Sequence, residues 1–89
     1  MEKAAAPTRV VLADDDVLLR EGLASLLERS GYQIAGKSES ARELLELVHE
    51  QHPDRAIVDI RMPPTHTTEG LDAAREIREH SPETAILVL

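Results

Sequence analysis

The sequence predicts an α/β fold built as a doubly wound parallel sheet, and three observations predict it. Four short apolar runs, RVVLA, YQIAGK, AIVDI and TAILVL, are spaced along the chain. Between them lie three stretches whose apolar residues recur at helical spacing. The links are short and carry Gly, Pro and Asp, so consecutive strands are joined by right-handed βαβ crossovers with helices on both faces of the sheet.

Residues 1–8, MEKAAAPT, have no periodic apolar face and read as a flexible leader. Regular structure is expected from Arg9, giving a domain over 9–89 in the order βαβαβαβ. RVVLA is continuous rather than alternating, which fits a strand buried on both faces. In VLLREGLASLLERSG, the residues Leu19, Leu23, Leu26 and Leu27 set out one helical face, and Gly31 is the expected stop. YQIAGK is the second strand. SESARELLELVHEQ repeats the helical pattern through Ala41, Leu44, Leu45 and Val48, with Ser40 and Glu43 spaced as a capping box. Pro53 and Asp54 turn the chain into AIVDI. The breaker-rich loop RMPPTHTTEG then leads to a third helix marked by Leu71, Ala74 and Ile77, and TAILVL forms the fourth strand. An apolar strand with no covering helix after it predicts a domain truncated after strand 4.

Composition narrows the function. With 89 residues and a formal net charge of −7, one acidic domain is expected, and such a surface repels phosphate backbones, so no direct nucleic acid contact is expected. There is no cysteine, which excludes disulfides and thiolate metal sites and suits a reducing compartment. No apolar run approaches a membrane span, and a cytoplasmic protein without membrane association is expected.

The chemistry lies in the carboxylates. Ligands of open parallel sheets bind beyond the carboxyl ends of the strands. Asp14, Asp15 and Asp16 follow strand 1, and Asp59 closes strand 3. If these strands are neighbours, like charges gather at one edge and raise one another's pKa unless a cation holds them. Carboxylate donors favour a hard ion such as Mg²⁺, which takes one or two carboxylates and completes its shell with water and phosphate oxygens. An ionised aspartate can attack phosphorus without a general base. Asp16, directly before a helix, is read instead as an N-cap.

These residues carry a resemblance. VVLADDD, LLREGLASLLERSGY, the turn HPD and AIVDIRMPP together resemble the receiver domain of two-component response regulators, over Arg9 to Leu89 and with the 44-residue step from Asp15 to Asp59. The resemblance implies a flavodoxin-like receiver fold, here partial. It implies Asp59 as phosphoacceptor, loaded from the phosphohistidine of a sensor histidine kinase, in a domain that is not itself an enzyme. Asp15 would ligate Mg²⁺ directly and Asp14 through water, with Asp59 and the backbone carbonyl of Arg61 completing the protein ligands. LADDD with REGL looks most like regulators that carry a helix-turn-helix DNA-binding domain and control transcription.

Two departures stand out. Six residues, PTHTTE, separate Pro63 from Gly70, about three more than the Gly-x-Asp-Gly type turn of the family. The family's switch Ser or Thr after strand 4 and Lys after strand 5 have no counterpart before Leu89. An open sheet edge at strand 4 is expected to promote self-association. Two alternatives are a haloacid-dehalogenase-like phosphatase using Asp14-Asp15-Asp16, and a receiver fold serving only self-association. The first needs Thr or Val where Leu18 stands and leaves Asp59 unexplained. His49 and His52 read as a solvated helix end, and His66 and His80 as surface residues.

Overall fold

A computed structural model describes residues 6–89; of the predicted leader, residues 1–5 lie outside the described residues. The elements follow the predicted order. They are β1 (Arg9–Ala13), α1 (Val17–Arg29), β2 (Gln33–Ser38), α2 (Ala41–Gln51), β3 (Arg55–Val58), α3 (Glu69–His80) and β4 (Ala85–Val88). The four strands form one sheet, ordered β2-β1-β3-β4, with every pairing parallel.

β1 lies inside the sheet, and its alternating side chains found two cores. Val11 and Ala13 join Leu44 and Val48 of α2, Ala56 and Val58 of β3, Met62, and Ala73 and Ile77 of α3. Val10 and Leu12 point the other way, onto Ala24, Leu23 and Leu27 of α1 and onto Tyr32, Ile34 and Ile57. This explains the unbroken apolar run, because a strand covered on both faces has no solvent side to make polar. Fully burying a side chain the size of Leu12 or Leu44 contributes about 1.5–3 kcal/mol.

The α1 face departs from its sequence expectation. Leu19 and Leu26 are 48% and 54% exposed, and the residues turned to the sheet are Leu23, Ala24 and Leu27, with the stem of Arg20. Both stripes satisfy helical spacing. Counting leucines alone merges the two: Leu23 and Leu27 face the sheet as expected, Leu19 and Leu26 do not, and Ala24 takes the place nearest β1 while the Arg20 head reaches Asp14 O. In α3 the shift is smaller: Gly70, Ala73, Ala74 and Ile77 are buried, and Leu71 lies at the margin.

The helix ends are defined by their own residues. Asp16 caps α1 by accepting from the Leu19 N–H at 3.1 Å. At the other end Gly31, at φ 96°, allows the Gly31 N–H to donate to Glu28 O and the Tyr32 N–H to Leu27 O, a Schellman pair completed by Tyr32 packing beside Leu27. Ser40 caps α2 through the Glu43 N–H, while the Glu43 carboxylate accepts from the Glu39 N–H, one residue earlier than a strict capping box places it.

On the α1 side, Val10, Leu27, Tyr32, Ile57, Ile86 and Leu87 line a groove of about 390 Å³ toward β4. β4 is an edge strand among the described residues.

Candidate functional site

The register between β1 and β3 positions the site. Ala13 stands opposite Val58, the Asp59 N–H donates to Ala13 O at 2.9 Å, and the Asp14 N–H donates to Ser38 O of β2 at 3.1 Å. The first residue past each strand is therefore an aspartate, and both are fixed through their own backbones. Carboxylate oxygens of Asp14, Asp15 and Asp59 lie within 4.8 Å of one another. Asp16, adjacent in sequence, is turned away to cap α1.

Asp14 is the most enclosed of the three, at 5% exposure. Burial pushes its carboxyl above the ordinary value of 3.8, the Asp16 N–H pulls it back, and the nearby charges of Asp59, Asp15 and Asp16 add to the rise. Three convergent carboxylate oxygens whose charges raise one another's pKa fit a hard divalent cation, which prefers carboxylate oxygen and neutralises that charge.

Two residues reach the site that sequence reasoning did not bring there. Arg20, one turn into α1, donates from Nη1 to the backbone carbonyl of Asp14 at 2.9 Å, and its buried Nε has no hydrogen-bond partner. His66 is 52% exposed, as a loop surface residue would be, yet its Nε2 lies 2.8 Å from Asp15 Oδ2. The β3–α3 loop carries that contact. His66 takes φ 58°, its N–H donates to Met62 O at 2.9 Å, and the flanking threonines are clamped by Glu69. The Thr65 N–H and hydroxyl donate to Glu69 Oε2, and the Thr67 N–H donates to Oε1. These bonds, the Thr65 hydroxyl's first, hold the Glu69 carboxyl at about 2, from 4.5. The extra loop length was the only signal in the sequence.

Of the remaining predicted residues, Arg61 reaches the site through its N–H, which donates to Asp59 Oδ1 at 3.3 Å. Lys37, on β2, is paired with Glu21 at 2.9 Å. His52 ends α2 in a left-handed conformation, with its ring 6.5 Å from that of His49 and tilted to it, consistent with a helix terminus.

The loop approaches the site through Gly70. Its N–H donates to Ile60 O at 2.8 Å, and a Cβ added there would stand 1.8 Å from Asp59 O, so the start of α3 rests directly on the backbone of the β3 end.

A parallel sheet with paired aspartates after β1 and a third after β3 defines a class of α/β domains with an acidic site at the carboxyl ends of the strands. The chain belongs to the response regulator receiver domain family, whose model matches residues 10–89. The transcriptional regulatory protein PdtaR of Mycobacterium tuberculosis is 42% identical over 74 residues, which is 83% of this chain and 35% of that protein. The chemotaxis protein CheY of Thermotoga maritima is 35% identical over 80 residues, 90% of this chain and 64% of that protein. A LuxR-family two-component response regulator from Aurantimonas superposes with a TM-score of 0.82 at 32% identity, over 93% of this chain and 58% of that one. The chain thus spans about a third of its PdtaR relative. The haloacid-dehalogenase-like alternative is set aside: Asp16, which it requires in the site, is committed to a helix cap. Among the described residues no helix is long and apolar enough to cross a membrane.

Proposed function

We propose that this receiver domain accepts a phosphoryl group on Asp59 from the phosphohistidine of a sensor histidine kinase, with Mg²⁺ held by Asp14, Asp15, Asp59 and the backbone carbonyl of Arg61. The observation that carries the reading is the convergence of the three carboxylates at the adjoining ends of β1 and β3. Bound there, Mg²⁺ supplies charge neutralisation for the carboxylates and for the incoming phosphoryl oxygens.

The chain's own residues account for the rest. Asp59 is a carboxylate nucleophile that needs no base, and one of its oxygens is fixed by the Arg61 N–H. Its new O–P bond forms as the donor's N–P bond breaks, once per domain. Asp14 and Asp15 contribute negative charge that binds the cation rather than repelling the phosphoryl group. Arg20 steadies the backbone between β1 and α1 by its bond to Asp14 O.

In the whole protein, phosphorylation of this domain controls transcription, a reading supported by the transcriptional role in the name of the PdtaR relative, and it does so in the cytoplasm through a DNA-binding domain outside this segment, a reading that rests on the resemblance of LADDD and REGL to regulators of that kind. This segment itself makes no nucleic acid contact, in keeping with its net charge of −7. The edge of β4 and the apolar groove beside it favour self-association of the chain.

The test is incubation with Mg²⁺ and a small phosphodonor, read by intact mass. One phosphoryl group on the chain and none on Asp59→Ala is expected. Equal labelling of the variant overturns the assignment, and continuous hydrolysis of a phosphomonoester returns the phosphatase reading.

A further inference from the structure

The three carboxylates share a pattern of tethering. Asp14 Oδ1 accepts from the Asp16 N–H at 2.9 Å, and Asp59 Oδ1 accepts from the Arg61 N–H at 3.3 Å. Asp15 Oδ2 is paired with His66 Nε2 at 2.8 Å. Each carboxylate thus has one oxygen engaged by a protein donor and a second without a donor among the described residues. Two of the tethers are backbone groups within two residues of the aspartate. The third is a side chain 51 residues away, on the loop in which this chain is longer than its family's usual turn.

Ligand carboxylates are commonly oriented by a hydrogen bond to the oxygen that does not bind the ion, and losing such a bond weakens metal binding by about 10–100-fold. His66 has the placement for that part. Of the three carboxylates its ring bonds Asp15, and its nitrogens are not part of the group of three that meets within 4.8 Å. Its position is set independently of Asp15, by its own N–H on Met62 O and by the Glu69 clamp on both neighbouring threonines.

Resting on the reading of the acidic site as a Mg²⁺ site, we propose that His66 is the positioning residue for Asp15, and that through it the β3–α3 loop and the cation site are coupled. A loop that holds Asp15 oriented favours cation binding. By reciprocity, a bound cation that fixes Asp15 must favour the ordered loop by the same factor. The loop beside Asp59 therefore reports whether the site is loaded.

The experiment measures Mg²⁺ affinity by titration calorimetry for the unsubstituted chain, His66→Ala, His66→Gln and Asp59→Asn, with amide hydrogen exchange of His66 and Thr67 followed with and without Mg²⁺. In the alanine variant, exchange is read at Ala in place of His66. His66→Ala is expected to bind about 10-fold more weakly. His66→Gln, whose amide can still donate, is expected to recover most of that loss. Mg²⁺ is expected to slow exchange in the unsubstituted chain and not in His66→Ala. Unchanged or tighter binding by His66→Ala overturns the coupling, because the imidazole would then be a bystander or a competitor. If Mg²⁺ binding is unaffected by His66→Ala but lost in Asp59→Asn, the coupling fails and the proposed function stands. If the unsubstituted chain binds no Mg²⁺, both readings fail.

Discussion

Replacing Gly70 by alanine tests how closely the loop and α3 are seated on the site. The added Cβ would lie 1.8 Å from Asp59 O, 2.7 Å from Asp59 C and 2.8 Å from Ile60 Cα, all backbone atoms that cannot rotate aside. Restoring even the shortest separation real Cβ atoms show, about 3.0 Å, requires α3 and the end of β3 to part by about 1.2 Å in a region packed to crystal-like density. Overpacking of that kind costs about 3 kcal/mol, and the better helix propensity of alanine returns about 1 kcal/mol. A net loss of about 2 kcal/mol follows, which in an 89-residue domain lowers the melting temperature by about 8–16 °C. Gly22→Ala is the matched control. Gly22 is exposed in mid-helix with nothing within 4 Å of the added Cβ, and the same substitution there should raise stability by up to about 1 kcal/mol. Thermal and urea unfolding of the two variants read the opposite signs directly. Gly70→Ala as stable as its parent would refute the seating of α3 on the Asp59 backbone.

Further predictions concern charge and core. Asp14→Asn should raise the melting temperature at neutral pH without Mg²⁺ and lose the stabilisation that Mg²⁺ gives. Because the folded carboxyl is raised, its ionisation penalises the fold only as pH climbs above 3.8, so thermal scans below that value should find parent and variant alike. Glu69 works in the opposite sense. Its folded carboxyl is depressed to about 2, so the loop clamp is complete above 4.5 and is lost as pH falls toward 2, seen as lost exchange protection of the Thr65 and Thr67 amides relative to their intrinsic rate at each pH. Leu44→Ala removes a fully buried side chain between α2 and the sheet and should cost about 2–5 kcal/mol in urea unfolding.

The sheet was legible because β1 and β3 are apolar on both faces, a pattern few other elements produce, and the helix ends because Asp16, Gly31 and Ser40 act through bonds to near neighbours. The meeting of Asp14 and Asp15 with Asp59 followed once β1 and β3 were placed side by side, since each aspartate is the residue at or next to a strand end. What depended on helix phase or loop path was hidden. Leu19 and Leu26 fit helical spacing as well as Leu23 and Leu27 do, and only packing against β1 and β2 chooses between them. Arg20 reaches Asp14 O because of that same phase. His66 reaches Asp15 through a left-handed residue and a carboxylate clamp, and neither is encoded by residue type at fixed spacing.

The most direct test of one cation site shared by the ends of β1 and β3 is paramagnetic broadening of backbone amide signals by Mn²⁺, used in place of Mg²⁺ at substoichiometric amounts. The account predicts early loss of signal at Asp14 to Asp16, at Asp59 to Arg61 and at His66, reversed by excess Mg²⁺. Broadening spread over the acidic surface, or centred on His49 and His52 at the end of α2, would contradict it.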